Sequence, residues 1–266
     1  MECYSLFSGS SGNCLYLREG SAEILVDAGS NCKHIKDALN GIGTDLASLS
    51  AILITHEHVD HVAALPVLLC ANPVPVFCQE AVAKEIYYGY QMRDKPKWAQ
   101  VFAKCVRTVD PEKEYEIGDL VFSPFSTPHD SVDSEGFVFQ EGKLGVATDL
   151  GHVSASVRRG LLGCENVVLE ANHDLEMLWN GPYPYHLKER IASDNGHLCN
   201  ADSAAFAAEL FAAGCKNFTL FHLSQDNNTP PLAMEAYRET LRAAGAEAGK
   251  DYALRAASRR EVTRIL

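Results

Sequence analysis

Positive charge is scarce in this 266-residue sequence: 23 Lys and Arg stand against 35 Asp and Glu, a formal charge of -12 with histidine neutral. Such a chain has no general attraction for phosphate backbones, which excludes a high-affinity nucleic-acid coat protein. It leaves open an enzyme that holds nucleic acid through metal ions and a few local cations. Long apolar runs are lacking too. The longest, Ala63 to Phe77, is broken by Pro66, Pro73 and Pro75 and is too short to cross a bilayer. The opening MECYSLFSGSSG has neither a basic n-region nor a long apolar h-region, so no signal peptide is expected. The nine cysteines are an odd number and contain no C-x-x-C pair. They read as reduced, mostly buried thiols in a cytoplasmic protein, not as a disulfide framework. Repeats, low-complexity segments and linkers are absent, and 47% hydrophobic with 22% charged residues is ordinary globular composition. One domain over residues 1–266 is expected; the oligomeric state is left open.

Short apolar runs bounded by turn residues predict strands at Cys14–Leu17, Glu23–Asp27 and Ala51–Ile54, with a helix over Cys32–Leu39 closed by Asn40-Gly41. Val62–Cys70 and Glu80–Gln91 read as helical, Val74–Phe77 as extended and Arg93–Gln100 as a polar break. Strands follow at Leu120–Phe125, Gly136–Gln140, Leu144–Thr148, Asn166–Glu170 and Phe218–Phe221. Helices are expected at Val153–Leu162, His186–Asp194, Ala201–Ala213 and Pro231–Ala244, with a final strand or two in the tail. Two successive halves, each of strands followed by helices, imply an α/β protein with sheets stacked between helical layers.

The densest chemistry is Thr55-His56-Glu57-His58-Val59-Asp60-His61, directly after the apolar strand Ala51–Ile54. A buried strand running into a turn gathers side chains at one sheet edge. Three imidazoles and a carboxylate within six residues suit a borderline divalent cation such as zinc or manganese, and this density has no ready explanation without a metal.

His56-x-His58-x-Asp60-His61 resembles the signature of the metallo-β-lactamase superfamily. The likeness continues in chain order through Asp27-Ala28-Gly29, Pro128-His129, Thr148-Asp149 and Phe221-His222-Leu223-Ser224. The resemblance implies a metallo-β-lactamase-like αββα sandwich, two mixed sheets flanked by helices, with the site at one sheet edge. It implies two metal sites: one of His56, His58 and His129, the other of Asp60, His61 and His222, with Asp149 bridging. Zinc, manganese or iron are all admissible for this N and O donor set. Asp60 would also orient the attacking hydroxide, and Asp27 would fix the tautomer of a ligating imidazole.

Within the superfamily, Leu169-Glu170-Ala171 is similar to the His-Glu-Ala-Thr element of tRNA 3′-processing ribonuclease, with Leu169 in place of histidine. Gly196-His197-Leu198 is similar to that enzyme's Gly-His-Ser element, whose histidine donates a proton to the leaving group. The large inserted domain of the β-CASP nucleases has no room between Asp149 and His222. Ser8-Gly9-Ser10-Ser11-Gly12-Asn13-Cys14, Asp149-Leu150-Gly151-His152, Glu170-Ala171-Asn172-His173-Asp174 and Gly196-His197-Leu198 with Asn200 together resemble the bacterial YycJ (WalJ) subfamily. The resemblance implies a dinuclear-metal phosphodiesterase acting on nucleic acid, a DNA 5′→3′ exonuclease, with Asp60 and His197 catalytic and no membrane partner.

Ser10 and Asn13 lie in a loop that reads either as a phosphate cradle or as a tight turn. Glu170, His152 and His173 are further candidates, for substrate contact or for support of the pocket. His34 and His186 carry no signal, and the Arg158-Arg159 and Arg259-Arg260 pairs read as solvated surface charge. Two other functions stay open: a glyoxalase II-type ester or thioester hydrolase, and a non-catalytic regulatory metal-binding protein.

Overall fold

The computed structural model describes residues 1–89, 95–111 and 113–266. Strands β1 (Glu2–Phe7), β2 (Cys14–Glu19), β3 (Ala22–Val26), β4 (Ala51–Leu53), β5 (Val76–Cys78), β6 (Val106–Thr108) and β7 (Tyr115–Ile117) come first. They are followed by β8 (Leu120–Ser126), β9 (Glu135–Phe139), β10 (Leu144–Ala147), β11 (Asn166–Glu170), β12 (Asn217–Phe221), β13 (Ala253–Ala256) and β14 (Thr263–Arg264). Two mixed seven-stranded sheets result, in the orders β14-β1-β2-β3-β4-β5-β6 and β13-β12-β11-β10-β9-β8-β7. Both are flanked by helices: α1 (Cys32–Gly41), α2 (Val59–Val62), α3 (Leu65–Ala71), α4 (Glu80–Tyr88) and α5 (Pro96–Cys105) in the first half. The second half has α6 (Ala155–Leu161), α7 (Leu175–Asn180), α8 (Tyr185–Ile191), α9 (Asn200–Ala212) and α10 (Pro230–Ala243).

The chain divides into two compact units. Unit 1 comprises residues 1–121, 131–134 and 258–266. Its β3, β4, β5 and β6 run parallel, and β14, β1, β2 and β3 are antiparallel neighbours. The central parallel strands β3 and β4 are nearly continuous apolar runs, as strands covered on both faces must be. Leu6, Tyr16, Leu25, Ile35, Ile52, Leu68, Val76 and Phe102 form its core. Unit 2 comprises residues 122–130 and 135–257, with β10 to β13 parallel and β8, β9 and β10 antiparallel. Phe125, Val157, Leu169, Phe206, Leu210, Phe218 and Tyr237 form its core.

Most sequence-predicted elements stand where expected; the short strands β6 and β7 were not among them, and four further differences have a local cause. β1 was not foreseen, because a register shift between Ser5 and Phe7 breaks its alternation. The helix expected over Val62–Cys70 is split into α2 and α3. Pro66, in the first turn of α3, has no N–H with which to continue a helix from α2. Arg93 and Asp94 of the expected polar break lie outside the described residues, as does the Gln91 end of the preceding helix. Pro96–Gln100, however, is the first half of α5, whose proline starts the helix. α7 was missed as well: Asp174 caps it by accepting the Met177 N–H at 2.9 Å. Among the described residues no helix is long and apolar enough to cross a membrane.

Candidate metal centre

In each unit the polar residues lie just beyond the carboxyl ends of parallel strands, where open α/β sheets carry their sites. Asp27 follows β3, Thr55 and His56 follow β4, Asp149 follows β10, Glu170 ends β11 and His222 follows β12. Asp27, Asp149 and His222 have left-handed backbones, with φ of 63°, 56° and 55°. These conformations cost a non-glycine residue stability, and functional positions are where they concentrate.

In unit 1 the H-x-H-x-D-H segment forms a turn that leads into α2. Its carbonyls are held from outside: Asn13 N donates to Asp60 O and Ala28 N to His61 O, both at 2.8 Å. Gly29 is required here, because a Cβ would stand 1.6 Å from Asp60 O. The rings of His56 and His61 lie 4.1 Å apart and those of His56 and His58 4.6 Å apart. Buried Asp27 orients the group. His61 Nδ1 lies 2.7 Å from Asp27 Oδ2, and the Thr55 N–H donates to Asp27 Oδ1 at 2.9 Å. The Thr55 hydroxyl donates to the same carboxylate, so its oxygen accepts from His56 Nδ1 at 3.0 Å. Both imidazoles therefore carry their proton on Nδ1 and present a bare Nε2, the form a metal ligand needs. Asn13 Nδ2 reaches His61 Nε2 at 3.0 Å and Asp60 Oδ2 at 3.3 Å. Burial pushes the Asp27 carboxyl up, and the His61 imidazole and the Thr55 donors act against that rise.

In unit 2 the organising group is Glu170, which is fully buried. Its Oε1 accepts from His222 Nδ1 at 2.8 Å and from His197 Nδ1 at 2.9 Å. Its Oε2 accepts the N–H groups of Leu150 at 3.0 Å and Leu198 at 3.1 Å. Burial alone would raise this carboxyl, but the His197 and His222 donors outweigh it and hold it well below the usual range. Asp149 Oδ1 lies 3.3 Å from His222 Nδ1, 3.6 Å from His197 Nδ1 and 3.8 Å from His129 Nε2. His129 Nδ1 donates to Gly196 O at 3.0 Å, and burial pushes its pKa down. Asp149, Glu170, His197 and His222 could jointly hold an ion. The donor chemistry fits divalent metals: clustered imidazoles, most of them buried and hydrogen-bonded through Nδ1, next to carboxylates.

Residues 22–222 match the family described as Beta-lactamase superfamily domain. The chain belongs to the metallo-β-lactamase superfamily. Over 251 residues it is 34% identical to the protein named exodeoxyribonuclease YycJ of Bacillus anthracis, covering 93% of this chain and 91% of that one. It is 33% identical over 250 residues to exodeoxyribonuclease WalJ of Streptococcus pneumoniae, covering 93% and 90%. These relatives place it in the YycJ subfamily. Zinc-bound PqqB from Methylobacterium extorquens has the same fold, with a TM-score of 0.69 at 15% identity over 99% of both chains. YhfI from Bacillus subtilis gives 0.68 at 16% over 98% of both. This superfamily member is a metallo-hydrolase.

Of the residues named from the sequence, His56, His58, Asp60, His61, Asp27 and Asn13 cluster in unit 1, and His129, Asp149, Glu170, His197 and His222 cluster in unit 2. Three stand apart. Ser10 is exposed. His152 is exposed and its Nδ1 bonds to Asp194 O at 2.8 Å. His173 is buried, neither ring nitrogen has a hydrogen-bond partner among the described residues, and burial pushes its pKa down to about 4. Two supporting residues were missed. Thr55 links three side chains from inside the signature, and Asn172 Nδ2 holds the His222 carbonyl at 3.0 Å. A hydroxyl directly before the first histidine was the available signal for Thr55.

Proposed function

We propose that the protein is a dinuclear-metal phosphodiesterase that removes nucleotides from nucleic-acid ends, a DNA 5′→3′ exonuclease. His56, His58, Asp60, His61, His129, Asp149 and His222 are the proposed donors for two divalent ions, either zinc or manganese or iron. Bound there, such ions acidify water and offset the charge that develops on phosphorus. Asp60 accepts a hydrogen bond from the attacking water and sets its direction. Glu170 holds the proton on Nδ1 of His197 and stabilises the imidazolium. Nε2 of His197 can then deliver a proton to the departing oxygen. With 18% of its side chain exposed, His197 is more open than the buried His129 and His222.

The observation that carries this reading is the His197–Glu170–His222 arrangement. A thioester releases a thiolate, whose conjugate acid has a pKa near 8.5, and it departs without an acid. A phosphodiester releases an alkoxide and benefits from a positioned proton, by about 10²–10⁴-fold. The exodeoxyribonuclease names of the two relatives support the same substrate. The test is to incubate metal-loaded protein with end-labelled single- and double-stranded oligonucleotides, with a panel of thioesters alongside. The wild type should shorten strands, and His197→Ala should lower turnover by about 10²–10⁴-fold at unchanged metal content and melting temperature. Thioester hydrolysis without strand shortening would hand the site to the glyoxalase II reading.

A further inference from the structure

A cavity of about 700 Å³ opens in unit 1, among Ser11 and Gly12 of the loop after β1, Ser30, Asn31 and His34 at the start of α1, and Arg259-Arg260 before β14. We infer that this cavity is a phosphate subsite that seats a phosphate group of a nucleic-acid strand, an inference that rests on the nuclease reading above. Arg259 and Arg260 line it with a single acidic residue, Asp37, in a chain whose net charge is -12. A local surplus of positive charge against that background suits an anion. Guanidinium groups also match phosphate geometry through paired N–H donors.

Neutral donors add to the charge. Asn31 Oδ1 accepts the His34 N–H at 2.9 Å, which fixes the orientation of the amide. Its Nδ2 therefore donates to His34 Nδ1 at 2.9 Å, which leaves the ring's N–H donor on Nε2. Ser11 and the first turn of α1, where the helix dipole favours negative charge, also line the cavity. Phe7 supplies an apolar side that a sugar can lie against.

The cavity is built from the loops that support the metal donors of unit 1. Ser11 and Gly12 lead into Asn13, which bonds to Asp60 and His61. Ser30 and Asn31 follow Asp27, which orients His61. The two loops touch backbone to backbone, since a Cβ on Gly12 would stand 2.9 Å from Ser30 N. A phosphate held here sits on the two loops that brace the donors Asp60 and His61. A strand carries several phosphates, so one can be seated here while the chain continues toward the donors of unit 1.

The test measures binding of a short fluorescein-labelled single strand by anisotropy in EDTA, where no cleavage occurs, over a range of salt. R259Q/R260Q should raise Kd about tenfold and flatten the log Kd–log salt slope by about two, one for each lost phosphate contact. H34A should raise Kd a few-fold. R238Q/R242Q on α10, an equal change in charge, should leave Kd within about twofold. Strands with a 5′-phosphate and a 5′-hydroxyl distinguish a terminal from a backbone phosphate: a loss confined to the first means the terminus, and a loss in both means the backbone. An R259Q/R260Q protein that keeps wild-type affinity and slope overturns the subsite, as does an equal loss in R238Q/R242Q or a wild type that binds no strand. If the wild type cleaves strands while R259Q/R260Q binds normally, the subsite falls and the nuclease stands. If R259Q/R260Q loses binding but the wild type cleaves nothing under any metal, the nuclease reading falls and the subsite stands.

Discussion

The two units orient their imidazoles with the same device, a buried carboxylate at a strand end, but load it differently. Asp27 in unit 1 takes one imidazole, His61, and shares its remaining capacity with Thr55. Glu170 in unit 2 takes two imidazoles on one oxygen and two backbone N–H groups on the other. Unit 1 therefore has a local support whose loss disturbs one donor. Unit 2 has a hub through which a proposed ligand, a proposed acid and two chain segments are tied together.

That contrast orders the expected effects. The largest belongs to Glu170→Gln. An amide has one accepting oxygen where the carboxylate has two, so either the histidines or the Leu150 and Leu198 N–H groups face an NH₂ group. Wrong-tautomer substitutions of this kind lower turnover by as much as about 10⁴-fold, and metal affinity should fall as well, by about 10–100-fold. Asp27→Asn should cost about 10–100-fold in metal affinity through His61 alone, with a smaller loss of turnover. Steady-state kinetics beside metal titration would rank the two. Equal losses would mean that the two carboxylates do not differ as hub and support.

The smallest effect concerns stability and belongs to unit 2. His173 is held neutral by burial, with its pKa pushed down to about 4 from an ordinary 6.5. Between those values the unfolded chain binds a proton that the folded chain does not, so stability should be full above pH 6.5 and fall as pH drops toward 4. The loss is on the order of 3 kcal/mol at most. His173→Gln should flatten that part of the stability curve in urea titrations. An unchanged slope would place the acid sensitivity elsewhere.

The same contrast explains what the sequence disclosed. Unit 1's donors are contiguous, so spacing alone marks His56, His58, Asp60 and His61. Unit 2's donors come from a loop and two strand ends spread over more than ninety positions, and only their order within a known family marks them. Glu170 could be named but not valued, because the convergence of His197 and His222 on one oxygen is a property of the folded chain. Arg259-Arg260 read as surface charge because they approach His34 only through the return of the chain to β14, beyond the reach of local pattern. Thr55 was overlooked inside the motif itself, since a hydroxyl's partners are invisible without coordinates.

The left-handed backbones of Asp27, Asp149 and His222 set stability and activity against each other. At such a φ, glycine is the residue the backbone prefers, so replacing any of the three with glycine relieves strain as it deletes a functional group. A search for heat-resistant variants that ignores activity has an incentive to erase the site, one strand end at a time. Improving this protein's stability safely means leaving these three uncomfortable residues alone.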